Sequence, residues 1–244
     1  MVNVDKSVFV SYRHPNLMRA LAISQKLSAQ GYEVYFDHRD SSSEEAEQVN
    51  LDDPGFALYY SNRGMAFHTK GNLRAGFDDC NKAIRLKPDL AGAYNNRGNI
   101  RKDMGDIDGA IDDFTKAIQL DKNVAPYHYN RGLAYHQKGG LYQAAVNYIE
   151  AIRLQPDHYG AYNNRAVLRF VSGDLVGAIS DYNKVLHINP GYIMAYKDRA
   201  RAYLAKMDYA SAKVDLQRYL ELGGTPSGEQ NELERLLSSL IPES

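Results

Sequence analysis

An arginine followed by a small residue recurs five times in this chain, at an unvarying spacing of 34 residues. The five arginines are Arg63, Arg97, Arg131, Arg165 and Arg199. When the small residue is set as position 8, the repeats begin at residues 57, 91, 125, 159 and 193, and together they fill most of the 244-residue chain. A register that holds without one insertion indicates repeated structural units, each packed on its neighbours.

Each unit carries the signals of two helices joined by a tight turn. Apolar residues fall at helical spacing over positions 1 to 14, as in Ala161, Tyr162, Ala166 and Val167. Glycine at position 15, replaced by Met207 in the fifth repeat, permits the left-handed residue that ends the first helix. Aspartate or asparagine at position 16 can cap the second helix, and proline at position 32 ends it in most repeats. The sequence therefore predicts helix–turn–helix units.

Two stretches carry a likeness to a known family: residues 93–98 with Gly105-Asp106, and residues 178–182 with Asn189-Pro190. They resemble the tetratricopeptide repeat, a helix–turn–helix unit of this length. The resemblance implies a mostly α-helical solenoid of five repeats over residues 57–224. It also implies a scaffold that binds proteins and is not an enzyme.

Residues 225–244 follow the repeats and are predicted to form a C-terminal capping helix and tail. The leucines from Leu233 to Leu240 fall at helical spacing among charged residues, and Ser227 can cap the helix. A helix of this kind covers the apolar face of the last repeat. The same leucines also suit an amphipathic helix that binds a partner, so this alternative stays open.

Residues 1–37 do not follow the repeat, and a polar linker over residues 38–56 separates them from it. Residues 8–12 and 32–37 are rich in strand-forming side chains, and residues 16–30 between them have helical spacing. This order predicts a short β–α–β segment in which a crossover helix joins two parallel strands.

The same segment resembles the opening of a TIR (Toll/interleukin-1 receptor) domain. Ser11-Tyr12-Arg13 ends the first strand and Asp37 ends the second, as in that family. The likeness then stops: the chain contains no tryptophan and lacks the later segment that carries the glutamate of NAD-cleaving TIR domains. One alternative function is therefore an accessory part of a TIR-type signalling or NAD-consuming system that acts through a partner subunit. Another is a fusion remnant without a role.

Polar and charged residues of opposite character occupy positions 7 and 23 through the repeats. Position 7 is always arginine, and position 23 is aspartate except at Asn147. An arginine column alone could bind anions, whereas facing arginine and aspartate side chains satisfy each other in two-point pairs. The sequence favours structural ion pairs within each repeat: Arg63 with Asp79, Arg97 with Asp113, Arg165 with Asp181, and Arg199 with Asp215.

In the tetratricopeptide family, the first helices of the repeats line a concave groove. The residues of this chain at those positions are the candidates for a peptide-binding site: Asn95, Asn96, Asn99, Tyr129, Asn130, Leu133, His136, Asn163 and Asn164. An asparagine amide both donates and accepts hydrogen bonds, so it can hold an extended peptide backbone whatever the peptide's side chains are. Alternatively, these asparagines only solvate the groove.

Composition narrows the classes of function. Lys and Arg total 29 against 30 Asp and Glu, so the chain lacks the surplus of cations with which proteins bind nucleic acids. One cysteine and seven dispersed histidines supply no metal site, and no phosphate-binding loop or catalytic constellation is present. No run of 18 apolar residues occurs. We therefore expect a cytoplasmic scaffold that binds a protein or peptide partner and needs no cofactor, nucleic acid or membrane.

Overall fold

The computed structural model describes residues 7–11, 33–37 and 54–224. Contacts divide the chain into two compact units, Met1–Asp121 and Lys122–Ser244. Among the described residues, the first unit holds a two-stranded sheet and four α-helices, and the second holds six α-helices.

The two strands are β1 (Ser7–Ser11) and β2 (Glu33–Asp37). They pair in parallel, with Ser7 opposite Glu33 and Ser11 opposite Asp37. This confirms the parallel pairing predicted for the N-terminal segment. The predicted crossover helix at residues 16–30 and the predicted capping helix in residues 225–244 lie outside the described residues.

The helices of the described region form five hairpins. In the first unit they are α1 (Ala57–Thr69), α2 (Leu73–Leu86), α3 (Ala91–Asp103) and α4 (Ile107–Leu120). In the second unit they are α5 (Ala125–Lys138), α6 (Leu141–Leu154), α7 (Tyr159–Val171), α8 (Leu175–Ile188), α9 (Ile193–Ala205) and α10 (Tyr209–Glu221). Each hairpin begins at the residue that the 34-residue register assigns to position 1. The mostly α-helical repeat fold is confirmed.

Phe56 departs from the predicted boundary between linker and repeats. The sequence assigns it to the polar linker, but Pro54–Phe56 forms a 3₁₀ turn and the Phe56 ring is buried against Tyr60, Ala83 and Ala93. Burying a phenylalanine side chain stabilises a fold by about 1.5–3 kcal/mol relative to leaving it in water. Residues 54–56 therefore belong with the first hairpin and not with the linker.

Small residues at position 8 let the two helices of a hairpin approach closely. A Cβ atom on Gly98 would lie 2.7 Å from the Phe114 ring, and one on Gly132 would lie 2.7 Å from the Tyr148 ring. Both rings are fully buried. The second and third hairpins thus each seat a large side chain of the second helix over a glycine of the first, at the density expected of a protein interior.

The turn inside each hairpin requires a left-handed backbone. Gly71, Gly105, Gly139 and Gly173 supply it, and Met207 adopts the same conformation with a φ of 63°. The side chain of the next residue caps the second helix in four hairpins, at Asn72, Asp106, Asp174 and Asp208. These caps fix where the second helix begins in four of the five hairpins of the described region.

Candidate functional site

The arginines at position 7 point at the aspartates at position 23 of the same hairpin. Arg165 donates to Asp181 through Nε at 2.8 Å and through Nη2 at 2.7 Å. Arg63, Arg97 and Arg199 hold the aspartates of their own hairpins in the same two-point manner. Because the forks of these four arginines are occupied by buried carboxylates within their own hairpins, they do not form a row of open sites for anions.

A second arginine reinforces two of these pairs. Arg101 and Arg169 each donate Nη1 at 3.0 Å, to Asp113 and Asp181 respectively. Hydrogen bonding to Asp181 raises the pKa of Arg165 and outweighs the burial that lowers it. Arginine occurs at position 11 only in the second and fourth repeats. A sequence comparison limited to positions 7 and 23 does not detect this second arginine.

The third repeat replaces the ion pair with a neutral contact. Arg131 Nε donates to Asn147 Oδ1 at 2.9 Å, and Asn147 Nδ2 donates to the Gln143 carbonyl at 2.8 Å. Burial lowers the pKa of Arg131, in contrast to the raised pKa of Arg165. The Asn147 amide therefore accepts a hydrogen bond from Arg131, as the aspartates of the other repeats do from their arginines, but it carries no negative charge.

A second polar column, at position 6, joins the first helices of successive repeats. In the first unit, Asn96 Nδ2 donates to Ser61 Oγ at 3.0 Å and to the Ser61 carbonyl at 3.2 Å. In the second unit, Asn164 Nδ2 donates to the Tyr129 hydroxyl at 3.1 Å. Each asparagine thus binds position 5 of the repeat before it. These two amides link the repeats, in addition to any peptide contact predicted for them.

The position-6 column is interrupted in the fifth repeat. Asp198 stands there, and position 5 of the fourth repeat is Asn163. Asn163 Oδ1 is buried without a hydrogen-bond partner in the described part of the chain, and Asn163 Nδ2 lies 3.4 Å from Asn164 Oδ1. Burial raises the pKa of Asp198, while Lys197 and Arg201 lower it. An ionised carboxylate only accepts hydrogen bonds, so it cannot supply the donor that Asn163 lacks.

Asn163 also lines a pocket of about 300 Å³ in the second unit. The lining residues share positions at the start of the first helices or just before them: Tyr129, His158, Tyr159, Gly160, Asn163, Asn164 and Tyr192. The backbone of Gly160 keeps the pocket open, because a Cβ atom there would lie 3.1 Å from the Tyr129 hydroxyl.

Aromatic rings form most of the pocket wall. The ring centroids of Tyr129 and His158 lie 4.5 Å apart, and those of Tyr159 and Tyr192 lie 5.5 Å apart. His158 Nδ1 accepts the Ala161 backbone N–H at 3.2 Å, and burial lowers the pKa of His158. Its imidazole is therefore neutral at neutral pH and carries its proton on Nε2.

The structure brings together Tyr129, Asn163 and Asn164 of the predicted groove residues. Leu133 does not line the pocket and packs, as Tyr129 also does, against a buried cluster around Tyr148, and His136 Nδ1 lies 3.4 Å from the Tyr148 hydroxyl. These two predicted groove residues therefore contact the hairpin core. Asn130 lies on α5 outside the pocket lining, and the remaining candidates lie on α3 of the first unit: Asn95, Asn96 and Asn99.

Four lining residues were not among the sequence candidates: His158, Tyr159, Gly160 and Tyr192. A signal for two of them is present at position 34. That position is aliphatic in the first two repeats, as Leu90 and Val124, and aromatic in the next two, as His158 and Tyr192. A change from aliphatic to aromatic residues in two adjacent repeats indicates one local surface. The family's groove positions, by contrast, point equally to every repeat.

Reactive groups elsewhere in the described region are few. Cys80 is buried, and burial raises the pKa of its thiol to about 12, so it is protonated at neutral pH. Residues 54–224 contain no group of three or more His, Cys, Asp or Glu side chains that could hold a metal ion. Within the same range, no helix has the length and apolar character needed to cross a membrane.

Helical hairpins of fixed length, joined by left-handed turns and stacked through their first helices, define a helical-repeat protein. Models of the tetratricopeptide repeat match residues 57–90 and 138–193, and a model described as TPR repeat matches residues 98–139. The matched residues make up more than half of the chain. This chain belongs to the tetratricopeptide-repeat family.

Solved structures share this fold at low sequence identity. PilF of Pseudomonas aeruginosa is 18% identical, with a TM-score of 0.70 over 76% of this chain and 84% of that one. A MamA protein is 24% identical, with a TM-score of 0.62 over 78% of this chain and 100% of that one. YrrB, described as a TPR protein with an unusual peptide-binding site, is 20% identical, with a TM-score of 0.62 over 77% and 94%. No curated protein sequence matches the chain.

Proposed function

We propose that this chain is a non-enzymatic interaction scaffold that binds an extended segment of a partner protein, anchored in the pocket of the second unit. The observation that carries the proposal is Asn163 Oδ1, a buried acceptor without a partner in the described region, in the wall of an aromatic pocket. An unsatisfied buried acceptor destabilises a fold by about 1–3 kcal/mol. A ligand that donates a hydrogen bond there removes that penalty when it binds.

The chemistry of the wall suits a peptide. Tyr129, Tyr159 and Tyr192 offer rigid apolar area with a polar tip, the type of side chain enriched where proteins bind partners. An extended peptide carries backbone N–H groups that have no partner of their own, so it can supply the missing donor. Repeat proteins commonly bind along the extended surface that their stacked units create, and one structural neighbour is described as having a peptide-binding site.

The accessory TIR-type role gains no specific support. Its characteristic residues include Tyr12 and Arg13, which lie outside the described residues, and the family matches begin at residue 57. The TIR resemblance, the cytoplasmic location and the absence of a nucleic-acid or membrane partner remain predictions from the sequence.

Selection of phage-displayed random dodecapeptides on the immobilised full chain tests the proposal. One selected peptide is then titrated against wild type and against Gly160→Leu, which fills the pocket beside the Tyr129 hydroxyl. We expect binding to weaken at least tenfold, because the leucine occupies the anchoring space.

The matched control is Gly92→Leu, the same change at position 2 of the second repeat, on a helix of the first unit. Leucine already occupies this register position at Leu58, where it is half exposed. The control is expected to bind as wild type does. Unchanged affinity in Gly160→Leu, with its melting temperature preserved, would place the site elsewhere, and failure to select any peptide would refute peptide binding.

A further inference from the structure

The interrupted position-6 column leaves a buried hydrogen-bond acceptor without a donor in the second unit. Asn164 donates to Tyr129 in the preceding repeat, whereas the residue one repeat later is Asp198. Within the described residues, Asn163 Oδ1 is buried and has no hydrogen-bond partner. A ligand that bears an N–H donor would satisfy this oxygen, whereas a ligand that only accepts hydrogen bonds would not.

The residues that line the pocket carry no charge at neutral pH. No lysine or arginine belongs to its lining, and His158 is neutral because burial lowers its pKa. The charge of Asp198 is felt at the pocket wall. Burial is the largest cause that raises the pKa of Tyr192, and the negative charge of Asp198 is the next. The negative charge of Asp157 likewise acts to raise the pKa of His158, although burial lowers it more.

Two cations lie near Asp198, and burial offsets their effect on its carboxylate. Lys197 and Arg201 lower its pKa, but burial outweighs them and the net shift is upward. The Arg201 guanidinium stands over the Phe170 ring, with its carbon 6.0 Å from the ring centroid.

Aromatic walls add an attraction that a cation uses better than a neutral group does. A lysine ammonium or arginine guanidinium near tyrosine rings gains about 0.5–2 kcal/mol from the ring quadrupole, with the larger value where water is excluded. The apolar stem of either side chain can cover the rings while its charged end reaches the acceptors. The pocket therefore combines π-rings, an unpaired amide oxygen and a nearby carboxylate.

We propose that this pocket selects a basic side chain, lysine or arginine, of the bound peptide, with Asn163 Oδ1 accepting its hydrogen bond and Asp198 balancing its charge. The inference rests on the proposed peptide-binding function and gives that site its specificity. Asp198 is a specificity-determining residue because it stands where the second and fourth repeats carry asparagines that bind within the chain.

The test reads the composition of the dodecapeptides selected on the full chain and the effect of removing their basic residue. Lysine or arginine should be enriched at one position of the selected peptides. Replacing that residue with glutamine, which keeps an apolar stem and hydrogen-bonding end, should weaken binding to wild type about tenfold or more. The Asp198→Asn variant should bind the basic and the glutamine peptide with nearly equal affinity.

The matched control is Asp174→Asn. This change removes the same charge from the residue that caps the start of α8. Asparagine caps the equivalent helix at Asn72, so this variant keeps its cap and should discriminate between the two peptides as wild type does. Selected peptides without basic enrichment, or equal loss of discrimination in both variants, would overturn the inference and leave peptide binding intact. Absence of any selected peptide would refute the proposed function itself.

Discussion

The fourth and fifth repeats share the pairing inside their hairpins and differ on the face that joins one repeat to the next. Arg165–Asp181 and Arg199–Asp215 have the same two-point geometry. At position 6, however, asparagine in the fourth repeat becomes Asp198 in the fifth. A buried ion that loses its partner destabilises the fold strongly, so the interior pair is kept. On the face between repeats, Asn163 Oδ1 has no partner in the described region, and we propose that a ligand completes it.

The two interior pairs differ in the number of arginines that each aspartate binds. Removing the aspartate that binds two arginines should give the largest loss of stability. Asp181 holds both Arg165 and Arg169, whereas Asp215 holds Arg199. Asp181→Ala should lower the free energy of unfolding by about 3–5 kcal/mol, the range for breaking a buried pair. Asp215→Ala should have a smaller effect. Urea unfolding followed by circular dichroism measures both, and an equal or reversed order would contradict this account of the interior column.

The turn at position 15 also separates the two repeats. Met207 adopts a φ of 63° where the fourth repeat has Gly173, and a left-handed conformation disfavours residues with a Cβ by about 1–2 kcal/mol. Met207 is 75% exposed, so its replacement removes little buried area. Met207→Gly should raise the free energy of unfolding by about 1 kcal/mol, and Gly173→Ala should lower it by about as much. Thermal unfolding of both variants checks the sign, and a less stable Met207→Gly would show that the side chain has a role the turn does not explain.

Asp198→Asn should restore the interrupted column and make the two repeats alike. The new amide can donate to Asn163 Oδ1 as Asn164 donates to Tyr129, and one such bond contributes about 0.5–1.5 kcal/mol. Burial raises the pKa of Asp198, so wild type loses stability as the pH rises through its folded pKa and the carboxyl ionises.

The advantage of Asp198→Asn should therefore be present at neutral pH, shrink as the pH falls through the raised pKa of the folded state, and be lost below 3.8, the ordinary value for this group. There the carboxyl is protonated and can donate as the amide does. Urea unfolding of both proteins at about pH 7 and about pH 3.5 measures the difference. An advantage that grows in acid would mean that Asp198 is stabilised as an anion.

Most of the helical fold could be predicted from the sequence because its determinants are local and repeat. The first helices begin at the register positions, and the pairs Arg165–Asp181 and Arg199–Asp215 follow from an arginine column at position 7 and an aspartate column at position 23. Phe56 was misassigned because its burial depends on contact with residues far along the chain, such as Ala93.

The candidate site was predictable only in part. Tyr129, Asn163 and Asn164 follow from their register positions, and the structure places them in one pocket wall. Leu133 and His136 follow from the same family positions, yet Leu133 also packs on the cluster around Tyr148 and His136 also contacts the Tyr148 hydroxyl. Such contacts are set by packing between helices, which no local pattern reports. The unpaired oxygen of Asn163 likewise depends on which neighbours reach it, and three-dimensional contacts decide that.

The most direct test compares Asn164→Ala with Asn163→Ala by urea unfolding of the full chain without ligand. It contrasts an asparagine whose side chain is hydrogen-bonded to the preceding repeat with one whose buried oxygen has no partner in the described region. Asn164 donates a hydrogen bond to the preceding repeat, and its loss should lower the free energy of unfolding by about 0.5–1.5 kcal/mol. Asn163 carries a buried acceptor without a partner in the described region, so Asn163→Ala should leave stability unchanged or raise it. A loss in Asn163→Ala equal to or greater than that in Asn164→Ala would show that the chain already satisfies this group, and would contradict the account.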